Sequence, residues 1–170
     1  MDQSSIPLDA ETKAAERPVD HKAELKLWLR LLTCCNLIEA EVRRRLQARF
    51  AVTLPRFDLL AQLDKVPDGL TLGETSRRMM VSNANVTTLV ERLVADGLIS
   101  RRADPGDRRT TYVSLTPEGR RAFAAMARAH EQWIAELFHD LDGGDIATLM
   151  RLLGKTKLSV GRATAVGDKQ

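Results

Sequence analysis

The sequence predicts a mainly α-helical protein carrying one small β-hairpin. Three observations predict it. Residues 21–50 and 120–141 run without Gly or Pro and repeat apolar side chains at helical spacing. Between them, two short amphipathic segments each follow a capping residue and are separated by a tight break at Val81-Ser82-Asn83. Directly behind, Leu98–Arg102 and Thr110–Leu115 read as short strands around the turn Asp104-Pro-Gly-Asp107. Helix, tight turn, helix and hairpin in that order make a winged helix-turn-helix.

Each element has a local reason. Residues 1–20 mix small, polar, Pro and charged residues and read as a loose arm. The first helix, His21 to Phe50, carries Leu25, Trp28, Leu29, Leu32, Cys35, Ile38, Val42 and Leu46, with Leu27, Leu31 and Cys34 to one side. Apolar residues on several faces predict burial on several sides, whereas Glu39 to Arg49 is strongly charged and should meet solvent. Thr53 can cap a second helix with Pro55 in its first turn. Thr71 and Glu74 form a capping box that opens a third helix to about Met80. Ser82 caps a fourth, which ends at Gly97, a left-handed C-terminal cap. Thr116-Pro-Glu opens a fifth helix to about Leu141, and Asp142-Gly-Gly-Asp145 starts a last one from Ile146 to about Leu158. Residues 51–115 then form the winged helix-turn-helix lobe, 21–50 and 116–158 a helical region, and 159–170 a flexible tail.

Composition narrows the function. The 170 residues are 44% hydrophobic and 29% charged, ordinary for a globular chain, with a net charge of +3. The charge is unevenly placed. Between Thr75 and Ala103 five arginines (Arg77, Arg78, Arg92, Arg101, Arg102) face two acids, Glu91 and Asp96. Such a basic concentration suits nucleic acid. There is no Gly-rich phosphate loop, no HExxH, no serine elbow and no metal-ligand spacing of Cys or His, so neither an enzyme nor a structural metal site is expected. No apolar run reaches membrane-spanning length, and the start lacks a signal-peptide core, so a cytoplasmic protein is expected.

The fourth helix divides into two faces. Val86, Leu89, Val90 and Leu93 point inward, while Ser82, Asn83, Asn85, Thr87, Thr88 and Arg92 point outward. Short polar side chains on the N-terminal half are what close approach to base edges in the major groove requires. Asn83, Asn85 and Thr88 are the expected base readers, and Arg77, Arg78 and Arg92 the expected phosphate contacts. On the hairpin, Arg101 and Arg102 stand at the base and Asp107, Arg108 and Arg109 at the tip, where a guanidinium can enter a narrow minor groove.

These motifs are specific. Gly97-Leu98-Ile99, Arg101-Arg102, Asp107-Arg108-Arg109, Leu115-Thr116 and Gly119 follow the recognition helix, and Leu54 to Leu60 opens the second helix. In these features the chain resembles the MarR family of bacterial and archaeal regulators over about residues 20–158. Thr75 departs from the pattern, standing where a larger apolar residue is common. The resemblance implies that Asp107 and Arg109 make the wing-tip contact and that Arg108 meets phosphate. It also implies a homodimer in which the first and last helices of both subunits interlock, and hence a palindromic double-stranded operator.

Family members commonly bind a small, often aromatic, acid between the dimer helices and the lobe. The candidate lining here is Trp28, Leu32, Cys35, Phe57, His130 and Trp133. Likeness to members that control degradation of aromatic acids suggests an aryl-CoA thioester as the effector, its phosphates met by Arg43, Arg44 and Arg45 or by Lys22 and Lys26. The expected function is therefore a ligand-responsive repressor that needs no cofactor. Two alternatives stay open. One is a thiol-based sensor using Cys34 or Cys35, although the lack of nearby cations from Leu31 to Ala40 predicts inert, buried thiols. The other is a ligand-free DNA-binding protein.

Overall fold

The computed structural model describes residues 22–104, 106–107 and 110–167. The expected N-terminal arm, together with Arg108 and Arg109, lies outside them. The elements in chain order are α1 (Lys22–Phe50), α2 (Leu54–Asp64), β1 (Leu70–Thr71), α3 (Leu72–Met79), α4 (Asn83–Ala95), β2 (Ile99–Ala103), β3 (Thr111–Leu115), α5 (Pro117–Leu137) and α6 (Gly143–Gly167). The chain divides into two compact units, residues 1–130 and 131–170.

In the first unit α2, α3 and α4 pack against one another, and α2 also packs on β3. Their apolar faces meet in a core of Leu59, Leu60, Leu63, Val86, Val90, Leu93, Ile99, Val113 and Leu115, all essentially buried. Thr75 is buried with them, and its hydroxyl donates to the Thr71 carbonyl at 2.8 Å. That bond satisfies the only polar atom which this departure from the family pattern brings into the core.

The hairpin expected from the turn Asp104-Pro-Gly-Asp107 is the β2–β3 pair, antiparallel with Ile99 opposite Leu115 and Arg102 opposite Tyr112. A third strand was not expected. Leu70 pairs with Val113 and Thr71 with Tyr112, giving the order β1-β3-β2. Gly69 makes this possible. Its φ is +90°, and a Cβ there would stand 2.6 Å from the Val113 carbonyl oxygen.

Helix ends follow their caps, with three corrections. Thr53 holds the extended N-cap conformation of α2, but its side chain makes no capping bond. Helix α5 stops at Leu137 rather than about Leu141. Helix α6 starts at Gly143, because Asp142 and Asp145 cap each other's backbone N–H at 2.8 and 3.3 Å, and it continues to Gly167. Residues 159–167, expected as part of a flexible tail, are therefore helical.

Burial along α1 also differs from expectation. Val42 and Leu46, in the charged half, are its buried residues. Leu25, Leu27, Trp28, Leu32 and Leu37 stay exposed, as do Ile146, Leu149, Met150, Leu152, Leu153 and Leu158 of α6 in the second unit. A single chain offers nothing to cover several faces of one long helix at once. Cys34 and Cys35, expected to be buried, are exposed for the same reason. Among the described residues no helix is long and apolar enough to cross a membrane, and no group of His, Cys, Asp or Glu is placed to hold a metal ion.

Candidate nucleic-acid interface

The candidate DNA-facing surface is built around the α3–α4 turn. Helix α3 opens with the Thr71–Glu74 capping box: Thr71 Oγ1 accepts from Glu74 N at 3.2 Å, and the Glu74 carboxylate accepts from Thr71 N at 2.9 Å. The Thr71 N–H and the Thr71 hydroxyl, which donates to the same carboxylate at 2.7 Å, hold the Glu74 carboxyl below its ordinary pKa. Helix α3 closes at Met80 in the left-handed conformation, φ 55°, with Val81 N bonded to Ser76 O at 3.2 Å. The chain reverses there, and Ser82 starts α4, its hydroxyl accepting from Asn85 N at 3.3 Å.

Ser82, Asn83, Asn85, Thr88 and Arg92 are exposed on α4, and Thr87 is half-buried. The two threonine hydroxyls donate to the backbone one turn earlier, Thr87 to Asn83 O at 2.9 Å and Thr88 to Ala84 O at 3.3 Å. They therefore present methyl groups and lone pairs outward, whereas the asparagine amides keep both donors and acceptors available. Arg77 and Arg78 are exposed at the end of α3. Asn85 and Thr88 also line a shallow cavity of about 320 Å³ with Pro55, Met79, Val81 and Leu89.

The far end of α4 is fixed independently. Gly97 supplies the left-handed cap, φ +71°, and Leu98 N reaches back to Leu93 O at 3.0 Å. Asp96 forms an ion pair with Arg56, which ties this end to the first turn of α2. The Thr116 hydroxyl donates to Gly97 O at 2.7 Å, lies 3.1 Å from Leu98 O, and accepts from Gly119 N at 2.9 Å. Recognition helix, wing and α5 thus meet at one side chain.

On the wing, Arg101 and Arg102 are exposed along β2, and the Arg102 guanidinium lies 5.2 Å from the centre of the Tyr112 ring across the ladder. The loop is closed by Asp104, whose carboxylate accepts from Gly106 N at 2.7 Å and Asp107 N at 3.1 Å. Asp107 Oδ2 accepts from Thr110 Oγ1 at 2.9 Å. The expected pairing of Asp107 with Arg109 falls outside the described residues.

The residues named for an effector site are only partly brought together. Phe57, 7% exposed, packs between Phe123 and His130, with ring centres 5.6 and 5.1 Å away. Asp58 stands beside this junction, and burial pushes its carboxyl up in pKa, with Glu39 adding to the effect and His130 opposing it. Trp133 is buried, in the second unit. Trp28, Leu32 and Cys35 lie exposed on α1. Arg44 grips Glu41 through two bonds, 2.8 and 2.7 Å, and Arg45 adds a third at 2.6 Å. These bonds lower Glu41 to about 2. Arg43 pairs with Glu39. All three arginines of this α1 cluster are therefore paired along their own helix, with two glutamates between them.

Sequence reasoning passed over Met80, Tyr112 and Arg56. The signal for Met80 was present: the turn needs a left-handed residue, and no glycine occurs between Arg77 and Asn83.

The geometry has close counterparts. Residues 52–110 match the family model described as the MarR family. Transcriptional activatory protein BadR of Rhodopseudomonas palustris is 29% identical over 147 residues, spanning 84% of this chain and 83% of BadR. A MarR family transcriptional regulator from Silicibacter pomeroyi superposes with a TM-score of 0.72 at 28% identity, over 85% of this chain and 99% of that one. In the sequence of its lobe and in its fold the chain is similar to MarR-type transcriptional regulators. Its fold and relatives are those of DNA-binding regulators and not of enzymes. The MarR-type fold also recurs in a mutant Escherichia coli MarR complexed with operator DNA, with a TM-score of 0.68 at 24% identity, over 81% of this chain and 99% of that one.

Proposed function

We propose that this chain is a MarR-type regulator, acting as a homodimer that reads a palindromic operator and represses transcription until an aromatic acid or its CoA thioester releases it. One observation carries the DNA reading: Asn83, Asn85 and Thr88 stand exposed at the start of a doubly capped helix, flanked by Arg77, Arg78 and Arg92. Short polar groups then face the bases and guanidiniums face the phosphates. The operator-bound E. coli MarR supports this use of the fold. The exposed apolar side chains of α1 and α6 support a dimer, since each would be covered by a second copy.

The effector reading rests on the aromatic junction where Phe57 of α2 meets Phe123 and His130 of α5. An aromatic ring suits that lining, and a thioester's phosphates would need arginines released from Glu41 and Glu39. Two half-sites sit one helical turn apart, about 34–36 Å. A ligand that prefers a different lobe spacing by about 1–3 kcal/mol lowers occupancy several-fold to a hundredfold. The test is competition on a pre-formed protein–DNA complex with aromatic acids and their CoA thioesters. Displacement at micromolar ligand is expected, and an unchanged isotherm with every compound sinks the effector reading.

The exposure of Cys34 and Cys35 favours a second reading, thiol oxidation as the signal. In that case peroxide releases DNA and Cys35→Ser abolishes the response. Likeness to an activatory protein favours the opposite sign of control, which a promoter–reporter assay distinguishes.

A further inference from the structure

Met80 is the most exposed large apolar residue of the described chain, at 93%, and it occupies the left-handed turn between α3 and the recognition helix. Both properties are unfavourable in the isolated protein. A side chain at φ 55° is strained where glycine would not be, and an open thioether chain gains no burial. Neither contributes to the fold, because the turn is held by backbone bonds: Met80 N to Arg77 O at 3.3 Å and Val81 N to Ser76 O at 3.2 Å. Strain persisting at a functional surface points to a use outside the folded chain.

The surroundings specify the partner. Val81, also exposed, adjoins Ser82 and lines the same cavity as Asn85 and Thr88. Arg77 and Arg78 are exposed one turn earlier on α3. An unbranched apolar side chain sits here among groups suited to base edges and phosphates. The major groove offers one apolar feature to match it, the C5-methyl group of thymine. We infer that Met80 is a specificity-determining residue that packs on a thymine methyl in each operator half-site. This rests on the DNA reading above and adds a contact to it.

The test uses the full-length protein and an operator selected with it from random duplex DNA. Each operator thymine is replaced in turn by deoxyuridine, which removes only the methyl. At one position wild type is expected to lose about fourfold in affinity when the thymine is replaced in one half-site, and about fifteenfold when both symmetry-related thymines are replaced. Met80→Gly is expected to lose a similar factor on the thymine operator, to melt no lower than wild type, and to be insensitive to deoxyuridine at that position. Met80→Gln keeps the chain length and should behave as the glycine variant does in binding. Undiminished operator affinity of both variants overturns the inference and leaves the DNA reading intact. So does loss of affinity with no position where deoxyuridine and Met80→Gly fail to add. If wild type selects no sequence at all, the DNA reading falls and this contact falls with it.

Discussion

Gly119→Ala should unfold the junction between wing and α5. A Cβ at Gly119 would stand 1.9 Å from the Leu98 carbonyl oxygen, 2.8 Å from its carbon and 3.2 Å from its Cα. Ordinary contact begins near 3.4 Å, so backbone must move by more than 1 Å. No flexible side chain can absorb that shift. The same Leu98 oxygen accepts from Thr116 N at 3.0 Å, and Gly119 N donates to the Thr116 hydroxyl at 2.9 Å, so the displacement also disturbs these bonds. Overpacking costs about 1–3 kcal/mol and each disturbed hydrogen bond about 0.5–1.5 kcal/mol, which together give roughly 3–4 kcal/mol. For a chain of this length that lowers Tm by on the order of 10 °C. Thermal and urea unfolding at one fixed protein concentration measure it. Gly97→Ala is the control: nothing lies within 4 Å of its Cβ, and only the positive φ opposes it, for about 1 kcal/mol. A change below about 1 kcal/mol for Gly119→Ala, or a larger one for Gly97→Ala, would refute the close-approach argument.

Two further outcomes are expected. The Asp58 carboxyl is raised in the folded state by burial, so its ionised form opposes folding at pH values above its ordinary 3.8. Asp58→Asn should raise the urea midpoint at pH 7, with the gain shrinking as pH falls through the raised value and vanishing below 3.8; equal midpoints at pH 7 contradict this. Arg92→Ala should weaken operator and random DNA alike and reduce the salt slope by about one per subunit, whereas a loss confined to the operator would make Arg92 a base reader.

Much of the lobe was legible because its signals are local. Ser82, Gly97 and the Thr71–Glu74 pair each act within one helical turn, and the structure uses all of them. Strand β1 was not legible, since Leu70 and Thr71 become a strand only by pairing with Val113 and Tyr112, some forty residues away. The start of α6 was misread for the reverse reason: the reciprocal aspartate cap draws two glycines into the helix despite their poor propensity. The cysteines show what periodicity omits. Apolar spacing on α1 marks faces that want cover, but it does not say whether the same chain supplies it, and here both thiols remain open. The Asn and Thr residues were named as base readers by type and spacing alone, whereas the direction of the threonine hydroxyls, turned back on the helix, follows only from the fold.

The Thr116 hydroxyl, shared between the last carbonyls of the recognition-helix cap and the first turn of α5, has a consequence for how such a regulator can be switched off. Helix and wing are clasped to the same point, so a push arriving through the start of α5 carries both together and leaves the pattern of groups they show to DNA unaltered. A signal of that kind lowers affinity by a common factor at all sites that share one half-site spacing. Among those sites the ranking stays as it was, and the weakest are vacated first.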